Sequence, residues 1–158
     1  MIRISRITDY GIVLMAHLAE RNGDKPRNAR EVAESTQLPL PVVSKILKAL
    51  AREGLLVSHR GAKGGYSLGR DSSEILVTEM IGALEGPFGL TECTTHPGAC
   101  PQESDCHVRE PWQRINRVVY DALAHITLAD LVGPLPDSIV SLVGLAGDPR
   151  DLDASKTT

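Results

Sequence analysis

The fold of this chain is decided by the stretch Pro41-Val-Val-Ser-Lys-Ile-Leu-Lys-Ala-Leu-Ala-Arg52 and by the segment Leu55-Leu-Val-Ser-His-Arg-Gly-Ala-Lys-Gly-Gly-Tyr-Ser-Leu-Gly69 that follows it. The first repeats apolar residues at steps of three and four, which predicts a helix with one buried stripe, made of Val43, Ile46, Leu47 and Leu50. The second has two short β-prone runs around a glycine-rich turn, which is typical of a hairpin. Together they predict a helix followed by a wing.

The residues before Pro41 predict two more helices. Residues 8–21 are predicted to form one helix. Its apolar stripe is made of Ile12, Met15, Leu18 and Ala19. Asn28 and Glu31 have the spacing of a capping box and open a short helix that extends to about Thr36. A winged helix-turn-helix domain has the same order of elements: helix, short helix, turn, basic helix and hairpin. The expected fold class is therefore mainly α with a small β-hairpin wing.

The charge of the chain is unevenly distributed. The 158 residues carry a net charge of −3, yet residues 41–70 contain six Lys and Arg side chains against Glu53 alone. Such a basic island is either an electrostatic footprint for phosphate or a solvated face. The winged fold favours the first, with double-stranded operator DNA as the partner. The candidate contacts lie on the third helix and the wing: Ser44, Lys45, Lys48, Arg52, Arg60 and Lys63.

Other features limit where the protein acts and what it does. No apolar run approaches the roughly 20 residues needed to span a bilayer, and the stretch 11–16 is too short for a secretory signal. We therefore expect a cytoplasmic protein without a membrane partner. Aromatic residues make up only 3% of the chain, which argues against a stacking platform for single strands. We find no nucleophile with a partner base, so we do not expect an enzyme.

Four segments are expected along the chain. Residues 1–86 form the DNA-binding domain and residues 87–108 a cysteine-rich loop. Residues 109–132 form a long helix, whose apolar seam is typical of a dimer interface: Trp112, Ile115, Val119, Leu123 and Ile126. Residues 133–158 form a C-terminal tail that is expected to be partly disordered.

The loop holds every cysteine of the chain, spaced Cys93-x6-Cys100-x5-Cys106. These gaps are wider than the two- to four-residue knuckles of most structural zinc sites and suit an iron–sulfur cluster. Zinc, or a disulfide switch with one spare thiol, remain alternatives. Three thiols leave a fourth ligand to be supplied. His107 adjoins Cys106, which is poor geometry for a shared metal, whereas His96 lies more freely inside the first gap.

The chain resembles the IscR- and NsrR-type family of bacterial winged-helix regulators that sense iron–sulfur status or nitric oxide. The resemblance covers about residues 1–132 and is carried by Ile4-Ser-Arg-Ile-Thr-Asp-Tyr-Gly11, Val43-Ser-Lys-Ile-Leu47, Arg60-Gly-Ala-Lys-Gly-Gly-Tyr66, Leu84-Glu-Gly86 and the cysteine loop. Three further segments are most similar to regulators of the SUF cluster-assembly genes: Leu90-Thr-Glu-Cys93, Trp112-Gln-Arg-Ile-Asn116 and Thr127-Leu-Ala-Asp-Leu131.

The resemblance implies a homodimer in which each subunit binds a [2Fe-2S] or [4Fe-4S] cluster through the three cysteines. IscR-like members place a ligand histidine three residues after the third cysteine, where this chain has Arg109. NsrR-like members take a fourth ligand from an aspartate in the first helix of the partner subunit, and Asp9 matches that position. The first cysteine gap is one residue longer than the usual five.

The expected function is therefore a repressor that senses cluster status and controls SUF genes. A nitric-oxide sensor of the same fold is the alternative favoured by Asp9. A zinc-stabilised winged module that binds proteins is the alternative from another functional class, because winged domains also serve as protein-interaction modules.

Overall fold

A computed structural model describes residues 4–20, 25–61 and 63–133 of the chain. Its helices are α1 Arg6–Glu20, α2 Ala29–Thr36, α3 Leu40–Arg52, α4 Val77–Glu85, α5 Glu92–Thr95, α6 Arg109–Leu123 and α7 Leu128–Val132. The strands are β1 Leu56–His59 and β2 Gly65–Leu68, and a short 3-10 turn occupies Ser72–Glu74. The predicted fold class, mainly α with a hairpin wing, is confirmed.

Local signals set the start of α2 and α3. The Asn28 side chain accepts hydrogen bonds from the amides of Arg30 and Glu31, and the Glu31 carboxylate accepts one from the Asn28 amide. This is the predicted capping box. α3 begins at Leu40, one residue before the expected Pro41. Proline is tolerated there because amides in a first turn have no partner within the helix.

The wing is an antiparallel pair in which Leu56 lies opposite Leu68 and His59 opposite Gly65. The segment before α2 adds to it: Arg27 and Tyr66 exchange backbone hydrogen bonds of 2.9 and 2.7 Å. Gly65 makes this approach possible, because a Cβ atom there would collide with the backbone of Arg27. The wing is thereby fixed against the start of α2.

One hydrophobic core holds these elements together. The α3 stripe is fully buried, since Val43, Ile46, Leu47 and Leu50 are each 0% exposed. It packs with side chains from α1, α2, α4 and α7, among them Leu14, Met15, Val32, Met80 and Leu128. Leu128 also has no exposed surface. The core of the winged domain therefore includes a residue from beyond the cysteine loop.

The long helix expected over residues 109–132 is divided in two. α6 ends at Leu123, and Thr127 then caps α7 through a capping box with Asp130. The intervening turn is tied back to the start of α4, because Val77 donates to the Ile126 carbonyl and Leu128 donates to the Ile75 carbonyl. Ile126 therefore does not continue the α6 seam. The expected tail lies outside the described residues from residue 134 onward.

None of the helices in the described ranges is long and apolar enough to cross a membrane.

Candidate nucleic-acid interface and cysteine loop

The candidate DNA-contacting residues of α3 lie on the side opposite its buried stripe. Lys45, Lys48 and Arg52 are exposed, and the smaller Ser44 is half-buried beside them. Buried Ile46 and Leu47 hold this face in place against the core. The arrangement presents three cations on one rigid helix, as phosphate and base-edge contacts in a major groove require.

The wing carries the remaining candidate cations. Arg60 follows β1 and Lys63 lies in the turn, and both are exposed. Across the hairpin the His59 Nε2 atom lies 2.9 Å from the Ser67 hydroxyl. The cations of the wing therefore extend from a braced hairpin, which suits contact with a DNA backbone beside the α3 site.

The cysteine loop is anchored at its start to α6. The Leu90 amide donates to the Asn116 side-chain oxygen at 2.9 Å. The rings of Phe88 and Tyr120 lie 6.0 Å apart at 53°, a tilted aromatic contact. These contacts hold the segment leading to Cys93 against the middle of the long helix.

The three cysteines are free thiols, and each is half-buried. The Cys93 sulfur lies 3.3 Å from the Thr91 hydroxyl. Three thiols on one loop suit the chemistry of a thiolate-bound cluster, for which the thiolate is the ligand. The loop does not bring all three together here: among the described residues, no group of three His, Cys, Asp or Glu side chains is placed to hold a metal ion.

The candidate fourth ligands lie in different places. His96 is exposed with its Nδ1 atom 3.0 Å from the Thr95 hydroxyl, and His107 is exposed just after Cys106. Asp9 is exposed in the first turn of α1, where it lines a small surface hollow with Ile4, Arg6 and Ile12. The structure places none of the three in a metal-binding group with the cysteines.

Glu103 was not singled out from the sequence, yet it organises the loop. Its Oε1 atom accepts from the Arg109 guanidinium at 2.8 Å, and its Oε2 atom accepts from the Gly98 amide at 2.6 Å. The side chain is only 10% exposed, although most of its neighbours are exposed. In the sequence, the signal that could have identified this role was the single glutamate between Cys100 and Cys106 of a polar loop.

An open cavity of about 670 Å³ separates the loop from α6. Cys93, Thr94 and Pro97 line one side, and the α6 side includes Arg109, Arg114, Arg117 and Tyr120. The Cys93 side chain therefore lines a space whose α6 side carries both cations and the carboxylates of Glu110 and Asp121.

α6 itself buries none of its residues within the chain. Its large apolar side chains remain open, with Trp112 40%, Ile115 46% and Val118 68% exposed. A stripe of this kind on one helix is characteristic of an interaction surface. Val119 and Leu123 of the predicted seam are half-buried, so the seam is only partly covered by the chain's own core.

Comparison with known proteins shows which family has these features. The model of the Rrf2 family, described as iron-dependent transcriptional regulator, matches residues 4–134. The chain belongs to the Rrf2 family. The matched range contains the winged domain, the cysteine loop, α6 and α7.

The chain is also similar to individual transcriptional regulators. The regulator CymR of Bacillus subtilis is 32% identical over 129 residues, which are 82% of this chain and 88% of that protein. The regulator IscR of Yersinia pseudotuberculosis is 30% identical over 123 residues, or 78% of this chain and 74% of that one. The resemblance to IscR-type regulators is thereby confirmed.

Two solved structures show the same fold. The structure of CymR, the global cysteine regulator of B. subtilis, covers 84% of this chain and 97% of its own with a TM-score of 0.66. The T. potens IscR structure is 28% identical and covers 83% and 86% with a TM-score of 0.62. Rrf2 proteins of this kind are transcriptional regulators, not enzymes, and this chain is a DNA-binding transcriptional regulator of the family.

Proposed function

We propose that this Rrf2 protein is a homodimeric repressor that senses iron–sulfur cluster status through Cys93, Cys100 and Cys106 and controls SUF cluster-assembly genes. The observation that carries the proposal is the placement of three free, half-buried thiols on one loop that is anchored to the exposed helix α6. A ligand bound on this loop acts next to the surface that sets how two subunits pair.

The DNA-binding half of the proposal rests on the basic face. Lys45, Lys48 and Arg52 project from α3, with Ser44 among them, and Arg60 and Lys63 extend the charge along the wing. We expect the α3 cations to contact phosphates and base edges in the major groove and the wing cations to follow the adjacent backbone.

Dimerisation is supported by α6. The apolar side chains of Trp112, Ile115 and Val118 are 40–68% exposed, and burying them against a second copy would remove that surface from water. A two-fold protein also matches the two half-sites of a palindromic operator.

The cluster would be held by the thiolates of Cys93, Cys100 and Cys106, whether it is of the [2Fe-2S] or the [4Fe-4S] type. A cluster supplies an iron centre whose properties follow from its ligands and its exposure. We propose Asp9 of the partner subunit as the fourth ligand, with His96 and His107 as weaker candidates. Asp9 is exposed in the first turn of α1 and forms no metal-binding group with the cysteines of its own chain among the described residues, which is compatible with a role across a dimer.

Ligation changes which loop arrangement is stable. The loop is connected to α4 on one side and to α6 on the other, and α4 packs on α3 in the core. Cluster binding therefore selects among loop arrangements and, through them, among spacings of the two α3 helices in a dimer.

Anaerobic purification tests the proposal. We expect a coloured protein that contains iron and sulfide and protects an operator upstream of SUF genes in a footprinting experiment. Asp9→Ala is expected to lower cluster stability, whereas His96→Ala and His107→Ala leave it unchanged. A colourless protein with zinc and no sulfide would support the zinc-stabilised interaction module instead.

A nitric-oxide-sensing repressor is the second candidate, and the position of Asp9 in α1 is the observation that favours it. The two candidates share the fold, the thiols and the proposed fourth ligand. Operator mapping across the genome separates them, because a nitric-oxide sensor would occupy promoters other than those of cluster-assembly genes.

A further inference from the structure

The carboxylate of Glu103 ties three points of the cysteine loop together. It joins Gly98, which lies in the first cysteine gap, to Arg109, which begins α6. We call Glu103 with these two partners the carboxylate clip. Both oxygens are engaged, and a charge-assisted hydrogen bond from a guanidinium to a mostly buried carboxylate is stronger than a neutral one.

The clip acts directly on two of the cysteines. The Glu103 amide donates to the Cys100 carbonyl at 3.1 Å, and the Arg109 amide donates to the Cys106 carbonyl at 3.2 Å. Each side chain of the ion pair therefore projects from the turn that its cysteine begins. Holding Glu103 against Arg109 holds the turn of Cys100 against the turn of Cys106.

The clipped loop does not present three thiols to one metal. No group of three ligand side chains forms among the described residues, which include the whole loop. Gathering the thiols requires the loop to change shape between Cys93 and Cys106, and the clip bridges the second half of that span. Interactions that favour one arrangement of a two-state element reduce the apparent affinity of a ligand for the other.

We propose that Glu103 is a positioning residue that stabilises a ligand-free arrangement of the loop and so opposes thiolate ligation of a metal centre. The inference rests on the proposed function, since it concerns the same three thiols. It assigns to Glu103 and Arg109 the role of setting how readily the loop gives up its bound centre.

The test compares Glu103→Gln, Arg109→Gln and Glu110→Gln in the full-length protein. In the wild type each carboxylate oxygen accepts one of the two bonds. A glutamine at 103 replaces one of these oxygens with an NH₂ donor, so it cannot keep both bonds in this geometry. Glu110→Gln is the matched control, because it breaks the Arg114–Glu110 pair of the same helix, whose side chains are 79% and 75% exposed. Exposed pairs of this kind contribute little.

Two measurements on reduced, metal-free protein test whether the carboxylate clip opposes metal binding by the thiols. Iodoacetamide should alkylate Cys100 and Cys106 about tenfold faster in both clip variants than in the wild type or the control, because the closed loop opens more often. Titration with Co²⁺ alone, followed by its thiolate absorption, should show binding about tenfold tighter in the clip variants. The double variant Glu103→Gln/Arg109→Gln should exceed the single variants little, because both remove the same pair.

Unchanged alkylation would show that the clip does not hold the loop. Weaker or absent Co²⁺ binding in the clip variants would overturn the proposal, because the clip would then prepare the loop for ligation. Both readouts are independent of iron and sulfide. A wild type that takes up no iron–sulfur cluster would therefore refute the proposed function. The alkylation and Co²⁺ results would still test whether the carboxylate clip holds the loop.

Discussion

The Glu85 carboxylate accepts a hydrogen bond from the Ser5 amide across 2.8 Å, and so the last residue of α4 is joined to the residue before α1. Thr8, which is fully buried, lies beside this contact, because its backbone amide donates to the Ser5 hydroxyl at 3.3 Å. Because α4 leads into the cysteine loop and Asp9 follows Thr8, this contact fixes the start of α1, with Asp9, relative to the start of the loop of the same chain.

Replacing Glu85 should alter acid stability. Partial burial raises the pKa of Glu85, but the hydrogen bonds from Thr8 and Ser5 outweigh it and leave the pKa below its ordinary value of 4.5. A lowered folded-state pKa adds stability above pH 4.5, and that contribution is lost as the pH falls through the folded value. We expect Glu85→Gln to lower the free energy of unfolding at pH 7 by about 0.5–1 kcal/mol, after allowance for solvent screening. Urea unfolding at pH 7 and pH 4 measures this.

The control for Glu85 is Glu34→Gln, which changes an exposed carboxylate on α2. Glu34→Gln should leave the free energy of unfolding unchanged at both pH 7 and pH 4. An equal loss of stability at pH 7 in the two variants would contradict the assigned role of the Ser5 and Thr8 hydrogen bonds.

Leu128→Ala should destabilise the winged domain although it lies beyond the cysteine loop. Leu128 is 0% exposed within the core, and truncation of such a leucine costs about 2–5 kcal/mol. Leu131→Ala, on the same helix but 38% exposed, should cost less than about 1 kcal/mol. Urea unfolding followed by circular dichroism compares them. Similar costs for both would mean that α7 does not complete the core.

Lys48→Ala should reduce the salt dependence of DNA binding. If Lys48 neutralises one phosphate, the slope of log K against log salt falls by about 0.9. Arg114→Gln removes a charge from exposed α6 and should leave the slope unchanged. Fluorescence anisotropy with an operator duplex at several salt concentrations gives both slopes. A slope unaltered by Lys48→Ala would remove that residue from the phosphate contacts.

Val118→Glu should weaken the proposed dimer. Val118 is 68% exposed on α6, and a carboxylate there would be buried without a partner if the exposed apolar surface of α6 pairs with a second copy. Val57→Glu provides the same change on β1, where Val57 is 44% exposed, and should leave the assembly intact. Sedimentation velocity measures the fraction of dimer. A dimer that persists in Val118→Glu would place the interface elsewhere.

The sequence by itself determined the elements whose signals are local. The α3 stripe, the Asn28–Glu31 capping box and the glycine-rich wing each depend on residues within a few positions of one another, so periodicity and capping chemistry sufficed. The cysteine spacing and the motifs around it likewise indicated the family that the comparisons show.

The tertiary structure alone decided the contacts between segments distant along the chain. The return of Leu128 to the core, the pairing of Arg27 with Tyr66 and the tie from Leu90 to Asn116 leave no periodic trace, because each joins elements separated by a loop. The end of α6 at Leu123 accompanies the same return of the chain: Leu128 is fully buried, and α7 packs on α1 instead of extending an exposed helix. The role of Glu103 also emerged only in three dimensions, since a lone glutamate gains its meaning from the atoms that it reaches.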